Sequence, residues 1–162
     1  MEQQQIQSLI LEKFPNHGLS FDESSDMLIV TTEKTLVVEL IRFLKDQLGY
    51  EFLTDLCGIH YPDRELALGV VYHLHSFSKN ARIRVKTYTS IEVPEIDSIT
   101  EIFSAANWME RETYDFFGIV FRNHPNLVRI LNVEYLDYFP LRKEYPLEDQ
   151  TRTDKDNRFF GR

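Results

Sequence analysis

Glu51–Thr87 reads EFLTDLCGIHYPDRELALGVVYHLHSFSKNARIRVKT, three apolar-rich runs separated by turn chemistry. The runs predict strands over Glu51–Tyr61, Leu66–Ser76 and Ala81–Thr87, with Tyr61-Pro62-Asp63-Arg64 and Ser78-Lys79-Asn80 as the turns. The third run alternates, Ile83 and Val85 on one face and Arg82, Arg84 and Lys86 on the other, the pattern of a strand with one buried face. The basic row is read as a solvated or edge-protecting face, with an anion-binding face as the alternative.

Toward the N-terminus, Ile6, Leu9, Ile10 and Phe14 recur at helical spacing over Gln3–Phe14, and Pro15, Asn16 and Gly18 close that helix. Short strands are expected at Leu19–Asp22 and Met27–Thr32, joined by a hairpin turn in the polar ESSD at 23–26. Thr35 is expected to cap a second helix with the stripe Leu36, Val37, Leu40, Ile41, Leu44 and Leu48, ended by Gly49. Toward the C-terminus, Pro94 marks a break. Ser98-Ile99-Thr100-Glu101 fits a capping box, opening a helix with Ile99, Ile102, Phe103, Ala106, Met109, Thr113 and Phe116/Phe117 near one stripe and Gly118 as its stop. The order predicts an α+β, two-layer domain, with helices on one face of a mixed, mainly antiparallel five-stranded sheet. It is expected to be one domain over residues 1–147, followed by an extended C-terminal docking tail over 148–162.

Composition narrows the function. The net charge is −8, which argues against a general phosphate-backbone binder, so no nucleic-acid partner is expected. From Leu141 to Arg162 the balance turns slightly basic, six Lys/Arg against five Asp/Glu, as suits a segment that docks. Cys57 is the sole cysteine, so neither an intrachain disulfide nor a four-cysteine metal or iron–sulfur site can form, and a reducing compartment is expected. No apolar run approaches the roughly 20 residues that cross a bilayer. The start, MEQQQIQSLI, has no basic n-region, so membrane contact is expected only through a partner. Neither GxGxxG nor GxxxxGK[ST] occurs.

The densest chemistry lies between Trp108 and Pro146, WMERETYDFFGIVFRNHPNLVRILNVEYLDYFPLRKEYP. Arg111 and Asp115 are spaced i,i+4, Glu112 and Asp115 i,i+3. Three readings stand: an acid–base carboxylate pair, a helix-surface ion pair, or buried charges that fix a contact between subunits. No Ser, Cys or metal-ligand His stands at a matching spacing, which sets catalysis lowest. His124 precedes Pro125 and is pushed extended, its ring free to relay protons or to bond neighbouring backbone, the latter favoured. His60, His73 and His75 do not meet a regular zinc spacing. Cys57 beside Gly58 reads as a small buried strand residue.

These residues resemble the 30-kDa-subunit family, the C-type component of the proton-pumping NADH:quinone oxidoreductase, respiratory complex I. That family carries E-R-E-x-x-D, two apolar residues, then a His and a basic-apolar cluster. Here Glu110-Arg111-Glu112-Thr113-Tyr114-Asp115-Phe116-Phe117 is followed by Gly118, His124-Pro125-Asn126-Leu127 and Arg129-Ile130-Leu131. Tyr61–Arg64, Ala105–Trp108 and Pro140–Leu147 also match. At Tyr138-Phe139 the family usually has Gly-His, and Val128 takes a position that is often basic. The resemblance spans Glu51–Leu147, and the end of the chain soon afterwards is read as that of a standalone subunit, not a fusion with the neighbouring large one.

The resemblance implies a peripheral-arm subunit that binds no cofactor and performs no redox step. NADH, FMN, iron–sulfur clusters and quinone would belong to other subunits, and no metal or catalytic residue is assigned to this chain. Its implied partners are the quinone-pocket large subunit (D-type), the iron–sulfur subunit (B-type) and other peripheral-arm subunits, on the cytoplasmic side of a bacterial plasma membrane. Glu110, Arg111, Glu112, Asp115, Gly118, His124, Pro125, Arg129, Arg142, Lys143 and Pro146 are the expected subunit-interface residues. The alternatives are the equivalent component of a hydrogenase or ferredoxin-linked relative, a small autonomous acid/base enzyme using Glu112/Asp115 or His124, and an anion-binding module on Arg82, Arg84 and Lys86.

Overall fold

A computed structural model describes residues 3–22 and 26–145. Helix α1 (Gln3–Lys13) leads into β1 (Ser20–Asp22) and β2 (Leu28–Thr32), then α2 (Val37–Asp46). Three long strands follow, β3 (Phe52–His60), β4 (Leu68–Ser76) and β5 (Ala81–Thr89). A short β6 (Glu95–Asp97), α3 (Ala106–Phe117) and β7 (Val120–Arg122) complete the order. The main sheet runs β1-β2-β5-β4-β3 and is antiparallel except where β2 pairs parallel with β5. This is the expected α+β fold with a mixed, mainly antiparallel five-stranded sheet.

The parallel pair follows from the chain path. β2 leaves the sheet through α2, and the β3–β4–β5 meander returns with β5 alongside β2, Val30 opposite Val85. Alternation puts Leu28, Val30, Ile83, Val85, Val70, Tyr72, Leu74 and Leu56 on the covered face, where they meet Ile6, Ile10, Val37, Leu40, Ile41 and Leu44 from the helices. Leu40, Ile41 and Leu44 are fully buried, and each such aliphatic side chain stabilises the fold by roughly 1.5–3 kcal/mol. Arg82, Arg84 and Lys86 do share the opposite face.

Three local expectations fail, each for a physical reason. Thr35 does not cap α2: Leu36 occupies that place, with no side-chain cap bond. The helix expected from Ser98 begins at Ala106, and residues 99–105 form hydrogen-bonded turns, with Ile102 N–H and Phe103 N–H both donating to the Ile99 carbonyl. Glu101 takes no part in a capping box, its side chain standing 83% exposed beside Arg42 at 3.9 Å. The displaced segment instead feeds a second sheet, in which β6 and β7 pair in parallel with Ile96 opposite Phe121. Neither three-residue segment carries a period of its own, and the capping-box spacing at Ser98–Glu101 points to a helix instead. Residues 23–25 of the turn expected at 23–26, the expected interface residue Pro146 and the docking tail expected at 148–162 lie outside the described residues.

Helix α3 seats on the edge strand β3 through a notch. A Cβ on Gly58 would lie 2.4 Å from Phe117 Cδ2 and 2.9 Å from its Cγ and Cε2, closer than atoms pack. Gly58→Val should therefore destabilise the isolated chain by about 1–3 kcal/mol, the usual range for overpacking. Equilibrium unfolding in urea checks this, and an unchanged midpoint would show that Phe117 moves aside freely.

Candidate functional site: the C-terminal end of helix α3

The last four carbonyls of a helix have no partner inside it. In α3 each finds a different one. Gly118, left-handed at φ 72°, donates its N–H to the Tyr114 carbonyl at 2.8 Å. Arg129 Nη1 donates to the Asp115 carbonyl at 3.0 Å, Leu141 N–H to Phe116 at 3.2 Å, and Arg142 Nε to Phe117 at 2.7 Å. Two arginines at this end also complement the negative pole of the helix dipole. Gly118 is thus the expected stop. The chain that follows α3 folds back to close the helix end.

Asp115 ties that returning chain down. Its buried carboxylate accepts the N–H groups of Ile130, Leu131 and Asn132 on Oδ2 at 3.1, 2.8 and 2.8 Å. Oδ1 accepts from Arg129 Nη1 at 2.8 Å and Asn132 Nδ2 at 3.1 Å. Burial by itself raises its pKa; the Asn132 and Leu131 amides, with the Arg129 and Asn132 side chains, outweigh that and hold the carboxyl well below the usual range. Arg129 spends its other terminal nitrogen on the Leu136 carbonyl at 2.8 Å and the Tyr138 carbonyl at 3.3 Å. Residues 127–141 are therefore held as an ordered arm.

Phe139 completes the closure. Its ring lies under two guanidinium groups, 5.1 Å from Arg129 and 4.7 Å from Arg142. It also fills the space above Gly118, where a Cβ would stand 2.5 Å from Phe139 Cε2. Gly118 is thus required twice, by its φ and by the ring above it. Beyond Phe139, the Lys143 N–H donates to His60 Nδ1 at 2.9 Å and pins the arm to the end of β3.

Glu110 makes a second buried centre one turn earlier. Ile99 N–H donates to its Oε1 at 2.8 Å and Ser98 Oγ to its Oε2 at 2.6 Å, so it supplies the capping that Glu101 does not. Burial pushes Glu110 up to about 7, against the Ser98 hydroxyl and Ile99 amide, which favour the charged form. His124 Nε2 stands 3.9 Å from Glu110 Oε2, but that nitrogen donates to the Asn107 carbonyl at 3.1 Å while Nδ1 accepts the Asn126 N–H at 3.0 Å. Burial and the nearby Arg111 charge lower the imidazole's pKa, so the contact is a neutral histidine bonding backbone, the reading the sequence favours. Pro125 follows in the turn after β7, whose bend is made by Asn123 at φ 64°.

The remaining candidates separate. Arg111 does not pair with Asp115. Its Nε and Nη2 donate to the Val128 and Arg129 carbonyls at 3.1 and 3.2 Å, and it stacks 5.2 Å from the Trp108 ring. Asp115 takes Arg129 instead, a buried pair at 2.8 Å that the returning arm brings together. Glu112 is exposed and faces a cleft with Asp55 and Cys57, so it forms no carboxylate pair with Asp115. In that cleft, burial and then the Asp55 charge push the Cys57 thiol up to about 11, far from an activated nucleophile. Arg142 turns inward onto α3, whereas Lys143 is exposed. His60, His73 and His75 go to separate partners: the Lys143 amide, Arg84 and the Phe77 ring. Ser98, Asn132, Phe139 and His60 are parts of the site that sequence reasoning misses. They lie 12 to 83 positions from the groups they serve, with no local signal.

What results is a small α+β domain in which the buried Asp115 and Arg129 fix the chain's own arm. Residues 30–151 match the family of the respiratory-chain NADH dehydrogenase 30 Kd subunit, and the chain belongs to that family. It is 43% identical over 141 residues to the C subunit of the NADH-quinone oxidoreductase of Citrifermentans bemidjiense, covering 87% of this chain and 88% of that protein. To the C subunit from Methylobacterium radiotolerans it is 41% identical over 145 residues, again 87% of this chain but 65% of the longer relative. A trypsin-resistant fragment of Nqo5 superposes with a TM-score of 0.68 at 31% identity, covering 78% of this chain and all of the fragment. A chain of the archaeal membrane-bound sulfane sulfur reductase shares the fold, with a TM-score of 0.77 at 22% identity over 94% of this chain and 95% of that one.

Glu110 carries a pH signature. Its folded pKa of about 7 lies above the ordinary 4.5, so the stability it contributes is full below about pH 4.5 and is lost as pH rises through about 7. Glu110→Gln should flatten the fall in melting temperature across that window and match or exceed the wild type at pH 8. Parallel pH profiles for the two proteins would refute the assignment.

Proposed function

We propose that the chain is a peripheral-arm subunit of a complex-I-type NADH:quinone oxidoreductase, holding geometry during electron transfer to quinone and performing no redox step itself. The observation that carries this reading is the arm. Leu131, Val133 and Tyr135 stand 66%, 48% and 87% exposed on a segment fixed from beneath by a buried carboxylate and two arginines. Ordering a loop so that it displays apolar side chains makes sense where another protein covers them, because the ordering entropy is then already spent before docking. Trp108, 61% exposed beside Arg111, extends the same surface.

In this reading the partners are the quinone-pocket large subunit, the iron–sulfur subunit and other peripheral-arm subunits, which hold NADH, FMN, the clusters and quinone. Glu110, Asp115, Gly118, His124, Pro125, Arg129 and Arg142 act on the interface by positioning, while Arg111, Glu112 and Lys143 reach its surface. Among the described residues no helix is long and apolar enough to cross a membrane, so attachment at the cytoplasmic face would come through the complex. The relatives named NADH-quinone oxidoreductase favour NADH as donor over the hydrogenase or ferredoxin-linked alternatives. A cysteine with a raised pKa and separated carboxylates speak against the autonomous enzyme.

Native membranes carrying a tagged copy test the reading. The tag should bring down quinone-pocket and iron–sulfur subunits, and Leu131→Asp/Tyr135→Asp should abolish that recovery. Exposed positions of this kind shift folding stability by no more than about 0.5 kcal/mol per site, so the isolated variant should melt as the wild type does. Undiminished recovery of the variant, or substrate turnover by the purified chain alone, would overturn the proposal.

A further inference from the structure

The sheet has a second face. Opposite the helices, one line of residues crosses the strands in register: Asp55 opposite His73, His73 opposite Arg84. Arg84 Nε donates to His73 Nε2 at 2.7 Å, which places the imidazole proton on Nδ1, 3.3 Å from Asp55 Oδ2. Burial and the Arg84 charge lower the His73 pKa, in keeping with a neutral ring. The ladder therefore grips the guanidinium by its Nε alone. Both terminal nitrogens of Arg84 lack a partner among the described residues, and so does the ammonium of Lys86 on the same side of the strand, about 7 Å further along.

Three surface arginines, by contrast, are each neutralised by a carboxylate of this chain. Arg42 meets Glu101, Arg82 meets Asp26 and Arg122 meets Asp97. On a chain of net charge −8, two neighbouring cations without carboxylates, one of them held in place by a histidine, are matched to negative charge from outside. At one end of the same face Phe52 and Phe77 stack at 5.3 Å while 46% and 62% exposed, apolar anchors beside the charges.

We propose that this sheet face, opposite α1 and α2, is a second docking surface, which seats an acidic segment of a neighbouring protein in the complex. Carboxylates of that segment bridge the Arg84 terminal nitrogens and the Lys86 ammonium, and an apolar side chain covers Phe52 and Phe77. The proposal rests on the reading that the chain works inside a multisubunit complex, but it concerns a face separate from the arm.

Amine acetylation read by peptide mass spectrometry tests it, on the full-length chain alone and on the complex purified from native membranes. Lys86 should react in the isolated chain and lose its labelling in the complex, while Lys13 on α1 keeps its own. A carbodiimide should couple Lys86 to an Asp or Glu of another subunit. Equal Lys86 labelling in both samples, with the other subunits still co-purifying, overturns this proposal and leaves the functional reading standing. Coupling to Glu148 or Asp149 of the same chain makes the occupant its own tail. Protection that disappears on delipidation with an unchanged set of subunits makes it an anionic lipid; either result overturns the proposal. A chain that co-purifies with no other subunit overturns both this proposal and the reading on which it rests.

Discussion

A helix that ends inside a protein leaves four carbonyls to be satisfied, and the structure of this chain after residue 117 is the solution to that problem. Gly118, Arg129, Leu141 and Arg142 each supply one donor. Because those donors are spread over 25 residues, meeting them bends the whole segment back across the helix end. Asp115 converts the bend into a fixed shape. One buried carboxylate holds three successive backbone amides, an amide side chain and a guanidinium. Hydrogen bonds to a charged group stabilise by roughly 1.5–3 kcal/mol each, and leaving the charge buried without them would be far worse.

Two glycine notches transmit this rigidity to the sheet. Phe117 fills the space at Gly58, and Phe139 fills the space at Gly118. Strand, helix and arm thus interlock by shape as well as charge. The arm that emerges is ordered yet displays Leu131, Val133 and Tyr135 to solvent, a combination costly to a free monomer and useful to a component of a larger assembly. The opposite sheet face repeats the logic with charge, His73 orienting Arg84 outward.

The long elements are legible because their periods are. Ile83/Val85 against Arg82/Arg84/Lys86, and the stripe Val37, Leu40, Ile41, Leu44, announce the sheet and its covering helix. Gly118 is legible as a helix stop because no other residue adopts its φ so readily. The start of α3 misleads because Ser98 and Glu101 have the spacing of a capping box, yet the partner of Ser98 is Glu110, twelve positions away. Asp115 looks like one half of a helix-surface pair with Arg111. Tertiary closure gives it Arg129, and no local rule foresees that the chain reverses over the helix end. The family resemblance marks these residues as special; only the geometry shows what each one holds.

Amide hydrogen exchange at Ile130, Leu131 and Asn132 tests the central claim most directly, comparing the isolated wild-type chain with Asp115→Ala under native conditions. If one buried carboxylate fixes the arm, these amides are protected like those of α3 in the wild type. In the variant they should lose protection worth about 1.5–3 kcal/mol each, while the β3–β4–β5 amides keep theirs. Unchanged exchange at the three amides in Asp115→Ala would contradict the account.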